Sequence, residues 1–120
     1  MYVYIILCDD NSLYTGVAKD IVKRLSEHYY QKKNCAKYTK SHKMVCLFSL
    51  FKTDNKSDAM KLEYSIKKLT HKEKLLLSFE NLTSDLSIFK FLSKNSYEFE
   101  IIPKEKQLEI FNQVVSQKSN

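Results

Sequence analysis

Apolar and polar positions alternate at the start of the chain and then settle into a helical period. Tyr2–Cys8 and Ser12–Ala18 are rich in β-branched and aromatic residues around a polar turn, which predicts a β-hairpin. Alternation puts Val3, Ile5 and Leu7 on one face of the first strand and Tyr2, Tyr4, Ile6 and Cys8 on the other. In the second strand it separates Leu13, Thr15 and Val17 from Tyr14, Gly16 and Ala18. A three-residue loop Asp9-Asp10-Asn11, with Asn11 left-handed, brings the aliphatic sets together and leaves Tyr4, Tyr14 and Gly16 on the opposite face. A two-residue loop would scramble both faces.

Asp20 is placed to cap a helix from Ile21 to about Tyr29, apolar at Ile21, Val22 and Leu25. Arg24 and His28 lie one turn apart on it, so both could reach a single bound phosphate. Gln31 to Lys43 is polar and lysine-rich and reads as a surface loop, either following a nucleic-acid backbone or simply solvated. Met44–Phe51 is a continuous apolar run, a central strand covered on both sides, and makes the sheet three-stranded. The second helix begins near Asn55 or Ser57 and runs to about Lys68, with Ala59, Leu62, Ile66 and Leu69 on its buried stripe. Glu63 lies beside that stripe, where a carboxylate needs a cation or metal to meet it; the alternative is an ordinary helical ion pair with Lys67.

Thr70-His71-Lys72-Glu73 is a capping box that starts a fresh helix carrying Leu75, Leu76 and Phe79, with His71 on the first-turn surface. A helix from about Thr83 to Ser93, a strand from Tyr97 to Ile102 and a helix after Pro103 follow. Leu86, Phe89, Phe91 and Leu92, and then Leu108, Phe111 and Val115, are expected to pack this part on the core. The expected class is α/β (α+β): residues 1–80 form the principal domain, and an α-β-α extension over 81–120 packs on it.

Composition narrows the functional classes. A chain of 120 residues with 43% hydrophobic content suits one compact domain. Its net charge of +6 favours polyanionic partners, nucleic acid or an acidic membrane face. Cys8, Cys35 and Cys46 form no CxxC pair and are odd in number, which suggests neither a disulfide framework nor a zinc site and points to a reducing compartment. The apolar opening Met1–Leu7 is too short for a membrane span and lacks the basic start of a signal peptide, so a soluble cytoplasmic protein with no membrane partner is expected. Of the 20 basic side chains other than histidine, Arg24 is the one arginine. In a background this biased toward lysine, Arg24 is either a chance survivor on a helix surface or a place where a planar fork is needed to grip phosphate or carboxylate.

Tyr2-Val3-Tyr4, Leu13-Tyr14-Thr15-Gly16-Val17 and Lys23-Arg24-Leu25 with His28 resemble the GIY-YIG nuclease signature in order and spacing. Ala36-Lys37-Tyr38-Thr39 and Glu63-Tyr64-Ser65-Ile66-Lys67-Lys68-Leu69 are similar to further segments of the small stand-alone bacterial members. The resemblance runs from Tyr2 to about Lys74. It implies a three-stranded antiparallel sheet flanked by helices, and it places the motif tyrosines on Tyr4 and Tyr14, the phosphate-binding arginine on Arg24, a helix His/Tyr position on His28 and the metal-ligand glutamate on Glu63. Gly16 falls on the motif glycine, where a missing side chain lets substrate backbone approach. Tyr2 and Thr15 replace the name-giving Gly and Ile, as they commonly do in the small members. Val17 stands where the excision-repair nuclease domain has a lysine, so Lys19 is the candidate substitute, and the asparagine that some members place after the glutamate has no clear counterpart in Lys74-Leu75-Leu76.

The implied reaction is hydrolysis of a phosphodiester, in DNA in preference to RNA, by a structure-selective or repair-type endonuclease using one Mg2+ or Mn2+ on Glu63. Lys19, Lys37, Tyr38 and Lys40, with Gly16, are the expected substrate contacts. Tyr4, Tyr14 or His28 would take the proton from water. The alternatives are a catalytically silent nucleic-acid-binding module, and a partner-dependent subunit whose C-terminal extension docks on another protein, as an exposed apolar patch on the Leu86–Leu92 helix would favour.

Overall fold

The structure, a computed structural model, describes residues 1–78 and 98–117. β1 (Tyr2–Cys8) and β2 (Leu13–Ala18) form the hairpin. Asn11 adopts φ 66°, and the loop closes through Cys8 N–H to the Ser12 carbonyl and Asn11 N–H to the Cys8 carbonyl. Val3 therefore pairs with Val17, Ile5 with Thr15 and Leu7 with Leu13, while Tyr4 faces Gly16. This is the register that sets the aliphatic faces together.

β3 (Met44–Lys52) pairs antiparallel with the other side of β1. A slip in register between the partners of Ile5 and Ile6 lets both Leu47 and Leu50 face the same side of the sheet. The expected three strands become four, in the order β2-β1-β3-β4. The addition is β4 (Glu100–Ile101), which pairs with Phe51 and Lys52. Phe51 and Lys52 would otherwise leave open backbone groups on that edge, and even two residues from the far end of the chain cover them. Of the strand expected over 97–102, Tyr97 lies outside the described residues, as do Phe79 and the helix expected over 83–93 with Leu86, Phe89, Phe91 and Leu92.

Asp20 caps α1 (Ile21–Tyr29) by accepting the Lys23 N–H at 3.1 Å. The stretch read as a loop contains one short helix, α2 (Lys37–Ser41). It forms because Thr39 is drawn inward to bond His28 and the Ala36 carbonyl, a tertiary contact that a lysine-rich sequence does not announce. Asn55 caps α3 (Lys56–Lys67), and the Thr70–Glu73 box caps α4 (His71–Leu75). α5 (Lys104–Val115) follows Pro103.

The sheet is the middle layer. On one face Val3, Ile5 and Phe51 meet Ala59, Leu62, Ile66 and Leu69 of the α3 region, with Leu77 beyond α4. On the other, Tyr4, Ile6, Leu47 and Leu50 meet Ile21 and Leu25 of α1 and Ile110 and Val114 of α5. Two stripes differ from expectation. Leu75 and Leu76 are exposed while Leu77 is buried, and on α5 Leu108 and Val115 are exposed while Ile110 and Val114 are buried. Several adjacent apolar positions offer α5 more than one face; the choice is made by docking on α1, where Phe111 meets Tyr29 edge-on at 5.8 Å and the Tyr30 hydroxyl donates to the Val114 carbonyl at 2.9 Å.

Leu62, fully buried beneath α3, tests this packing. Leu62→Ala should cost about 3 kcal/mol through lost burial and the cavity left behind, read as a lower urea midpoint with an unchanged slope.

Candidate active site

Hairpin register puts the Tyr4 ring across Gly16, and the fit is tight enough to explain the glycine. A Cβ built on Gly16 would overlap the Tyr4 hydroxyl and lie 2.6 Å from its Cζ. The residue expected to admit substrate backbone therefore makes room for Tyr4; its backbone φ is not positive.

Tyr4 and His28 are both fully buried, so His28 faces the interior. Its Nε2 lies 2.7 Å from the Tyr4 hydroxyl and its Nδ1 2.7 Å from Thr39 Oγ1. Both ring nitrogens are thus engaged inside the protein. Burial pushes the imidazole pKa down to about 4, the Arg24 charge adding to the shift and Glu27 opposing it; at neutral pH the ring is uncharged. Burial also pushes the Tyr4 hydroxyl well above the ordinary phenol range. The approach of the Arg24 guanidinium opposes this, while the charges of Tyr14 and Glu63 add to it.

Arg24 is half-buried and held at one end. Its Nη1 donates to Glu27 Oε1 at 2.9 Å and to the Asn34 carbonyl at 2.7 Å. Burial alone would lower its pKa, but Glu27 and Tyr4 bring it above the usual value. Glu63 has a side chain only 16% exposed, and its Oε2 lies 3.5 Å from Lys67 Nζ. Glu63 thus forms the helical ion pair with Lys67, and its charge is also felt at Tyr4.

Tyr14, half-buried, covers the pair from outside, its ring 5.6 Å from His28 and 6.5 Å from Tyr4. Tyr38 of α2 stacks on Tyr14 at 5.3 Å and on His42 at 3.9 Å. The His42 Nε2 in turn lies 3.5 Å from Asp10 in the hairpin loop. Lys37 and Lys40 of α2 and Lys19 between β2 and α1 are exposed.

The structure thus brings together Tyr4, Tyr14, Arg24, His28 and Glu63, with Tyr38 stacked at the rim. Four supporting groups were not foreseen: Thr39, Glu27, the Asn34 carbonyl and His42. For Glu27 a signal was present, since it sits three residues after Arg24 on the same helix. Thr39 lies in the family-like segment Ala36–Thr39, but neither it nor His42 has a local spacing that gives its role, because only the fold brings α2 against α1 and the hairpin.

The family model described as the GIY-YIG catalytic domain matches residues 1–76. The chain belongs to the GIY-YIG family, an endonuclease superfamily. Among the curated proteins it is similar to the small bacterial ones named UPF0213. It is 51% identical to one from Fusobacterium nucleatum over 73 residues, 61% of this chain and 71% of that protein. It is 47% identical to one from Staphylococcus saprophyticus over 79 residues, 66% and 94%, and 48% identical to one from Syntrophus aciditrophicus over 80 residues, 67% and 91%. No solved structure matches the chain. Among the described residues no helix is long and apolar enough to cross a membrane.

Two outcomes follow from this packing. Gly16→Ala should destabilise the protein by about 1–3 kcal/mol through overlap with Tyr4, and in a Tyr4→Ala background the same change should cost far less, a coupling measured by a double-mutant denaturation cycle. His28 binds a proton more weakly folded than unfolded, so the unfolded chain takes up protons first as pH falls below about 6.5. Its stabilising contribution is full above that pH and is lost toward pH 4, up to about 3 kcal/mol in all. Thermal melts of His28→Gln should show a flatter loss of stability between pH 7 and pH 4.5 than wild type.

Proposed function

We propose that the protein is a metal-dependent nuclease that hydrolyses phosphodiester bonds in nucleic acid, with DNA as the substrate of a structure-selective or repair-type cleavage. The observation that carries this reading is the gathering of Arg24, Tyr14 and Glu63, from α1, β2 and α3, about the buried pair of Tyr4 and His28. A tyrosine that only fills the core needs no arginine and glutamate gathered about it.

Glu63 is the candidate metal ligand. Among the described residues no three His, Cys, Asp or Glu side chains gather as a metal cage, so the donor set does not fit a tightly held structural ion. It fits Mg2+ or Mn2+ retaining most of its water and taking further oxygens from a substrate phosphate. Such an ion, when bound, supplies positive charge at the leaving oxygen. Arg24, held at Nη1, presents the rest of its fork to the phosphate and offsets charge on the pentavalent centre. Of the three candidate bases, Tyr14 is the one that is not fully buried, so Tyr14 is the group proposed to meet the attacking water, with Tyr4 and His28 supporting it from below.

Charge placement supports a polyanionic substrate. The stretch 19–43 carries eight cations, among them Lys19, Lys37 and Lys40, against Asp20 and Glu27, which equals the net charge of the whole chain. Residues 1–80 are proposed as the catalytic unit with the remainder packed on it. The free thiols Cys8, Cys35 and Cys46 suit a reducing cytoplasm.

The test is cleavage of labelled single-stranded, duplex and branched DNA, and of RNA, with Mg2+, Mn2+ or EDTA. Arg24→Ala and Glu63→Ala should each reduce cleavage by at least about a hundredfold, with binding at low salt kept within a few-fold. Full activity in either variant refutes the assignment, and salt-sensitive binding without cutting supports the silent module.

A further inference from the structure

The hydroxyl of Thr39 has two neighbours that bear on its direction. It lies 3.1 Å from the Ala36 carbonyl and 2.7 Å from Nδ1 of His28. A carbonyl oxygen only accepts, so a Thr39 proton given to Ala36, which also accepts the Lys40 N–H, leaves an Oγ1 lone pair facing His28. In that arrangement Nδ1 carries the imidazole proton and donates it. In a neutral imidazole the other nitrogen is an acceptor, so Nε2 receives the Tyr4 O–H across their 2.7 Å separation. The Tyr4 proton is thereby turned inward, and the lone pairs of its oxygen are left toward Arg24, whose guanidinium has only donors to offer.

We propose that Thr39 is a positioning residue: through the Ala36 carbonyl it fixes His28 as the Nδ1–H tautomer, which sets the Tyr4 hydroxyl to donate to His28 and to accept from Arg24. The proposed direction is Tyr4 O–H to His28 Nε2, His28 Nδ1–H to Thr39 Oγ1, and Thr39 O–H to the Ala36 carbonyl. With the proton on Nε2 instead, the imidazole would donate to the Tyr4 oxygen, and the Tyr4 proton would lose His28 as its acceptor. The three side chains linked in this way are buried, Tyr4 1%, His28 0% and Thr39 0% exposed, so bulk water does not supply a substitute partner. The role of α2 follows: its one buried side chain, Thr39, holds the site from behind, while Lys37 and Lys40 on the same short helix stay exposed.

The tautomer part of the proposal stands on the protein alone; only its consequence for cleavage rests on the nuclease reading. The two are tested apart. Nitrogen-15 NMR of the His28 ring at pH 7, without substrate, should show Nδ1 protonated and Nε2 bare. Thr39→Val, which keeps the shape and removes the acceptor, should shift His28 toward the Nε2–H form, and Thr39→Ser should restore the wild-type pattern. A wild-type Nε2–H ring overturns the proposal without any variant, and so does an unchanged Nδ1–H ring in Thr39→Val. In cleavage assays Thr39→Val should lower kcat roughly ten- to a hundredfold with KM within about twofold, and Thr39→Ser should recover it. Normal kcat in a Thr39→Val protein whose tautomer has changed overturns the link to catalysis. A wild-type protein with the expected tautomer and no cleavage supports the hydrogen-bond assignment and counts against the nuclease reading instead.

Discussion

Much of this site depends on one buried hydrogen bond, between the Tyr4 hydroxyl and Nε2 of His28. It joins the central hairpin to α1, and both groups are sealed from solvent, so neither can leave the other without stranding a polar atom in the core. The neighbouring features serve that pair. Gly16 yields the space the tyrosine ring occupies, Thr39 satisfies the second imidazole nitrogen, and Tyr14 lies over both rings. Polar groups this deep restrict the site to one arrangement, because an alternative packing would have to satisfy all of them at once.

The layering explains how charges of opposite sign come to share so small a space. Arg24 rises from α1 on one face of the sheet and Glu63 from α3 on the other, with β2 as the edge strand next to β1. Each has a partner of its own, Glu27 for the arginine and Lys67 for the glutamate. The grips differ: Arg24 is bound at 2.9 Å and 2.7 Å by two acceptors, whereas Glu63 meets a lysine at 3.5 Å. A firmly placed cation and a loosely paired carboxylate suit a centre that holds phosphate in a set orientation and admits a hydrated ion.

Much of the architecture was legible before the structure. The hairpin register followed from the aliphatic alternation, since a slip by one residue would have turned Val3 and Ile5 to the wrong face. The α1 start followed from Asp20, the structure chose Asn55 over Ser57 as the α3 cap, and the stripe Ala59, Leu62, Ile66 and Leu69 is buried as its spacing requires. Arg24 stood out because a lone arginine among lysines has a chemical reason to persist. The short helix at Lys37–Ser41, the pairing of the C-terminal strand with β3 and the buried face of α5 were not legible, because each is selected by a contact with a distant segment.

The sequence by itself determined the elements whose signals are local: strand alternation, caps, helical stripes and the ordered motifs from Tyr2 to Leu69. Tertiary structure alone decided that His28 turns inward, that Gly16 serves Tyr4, and that Thr39 completes the chain of hydrogen bonds. The physical reason is range. Periodicity and capping act over one or two turns of backbone, whereas the partners of a buried hydroxyl or imidazole are whichever groups packing brings within 3 Å, and here they lie 11 and 24 residues away.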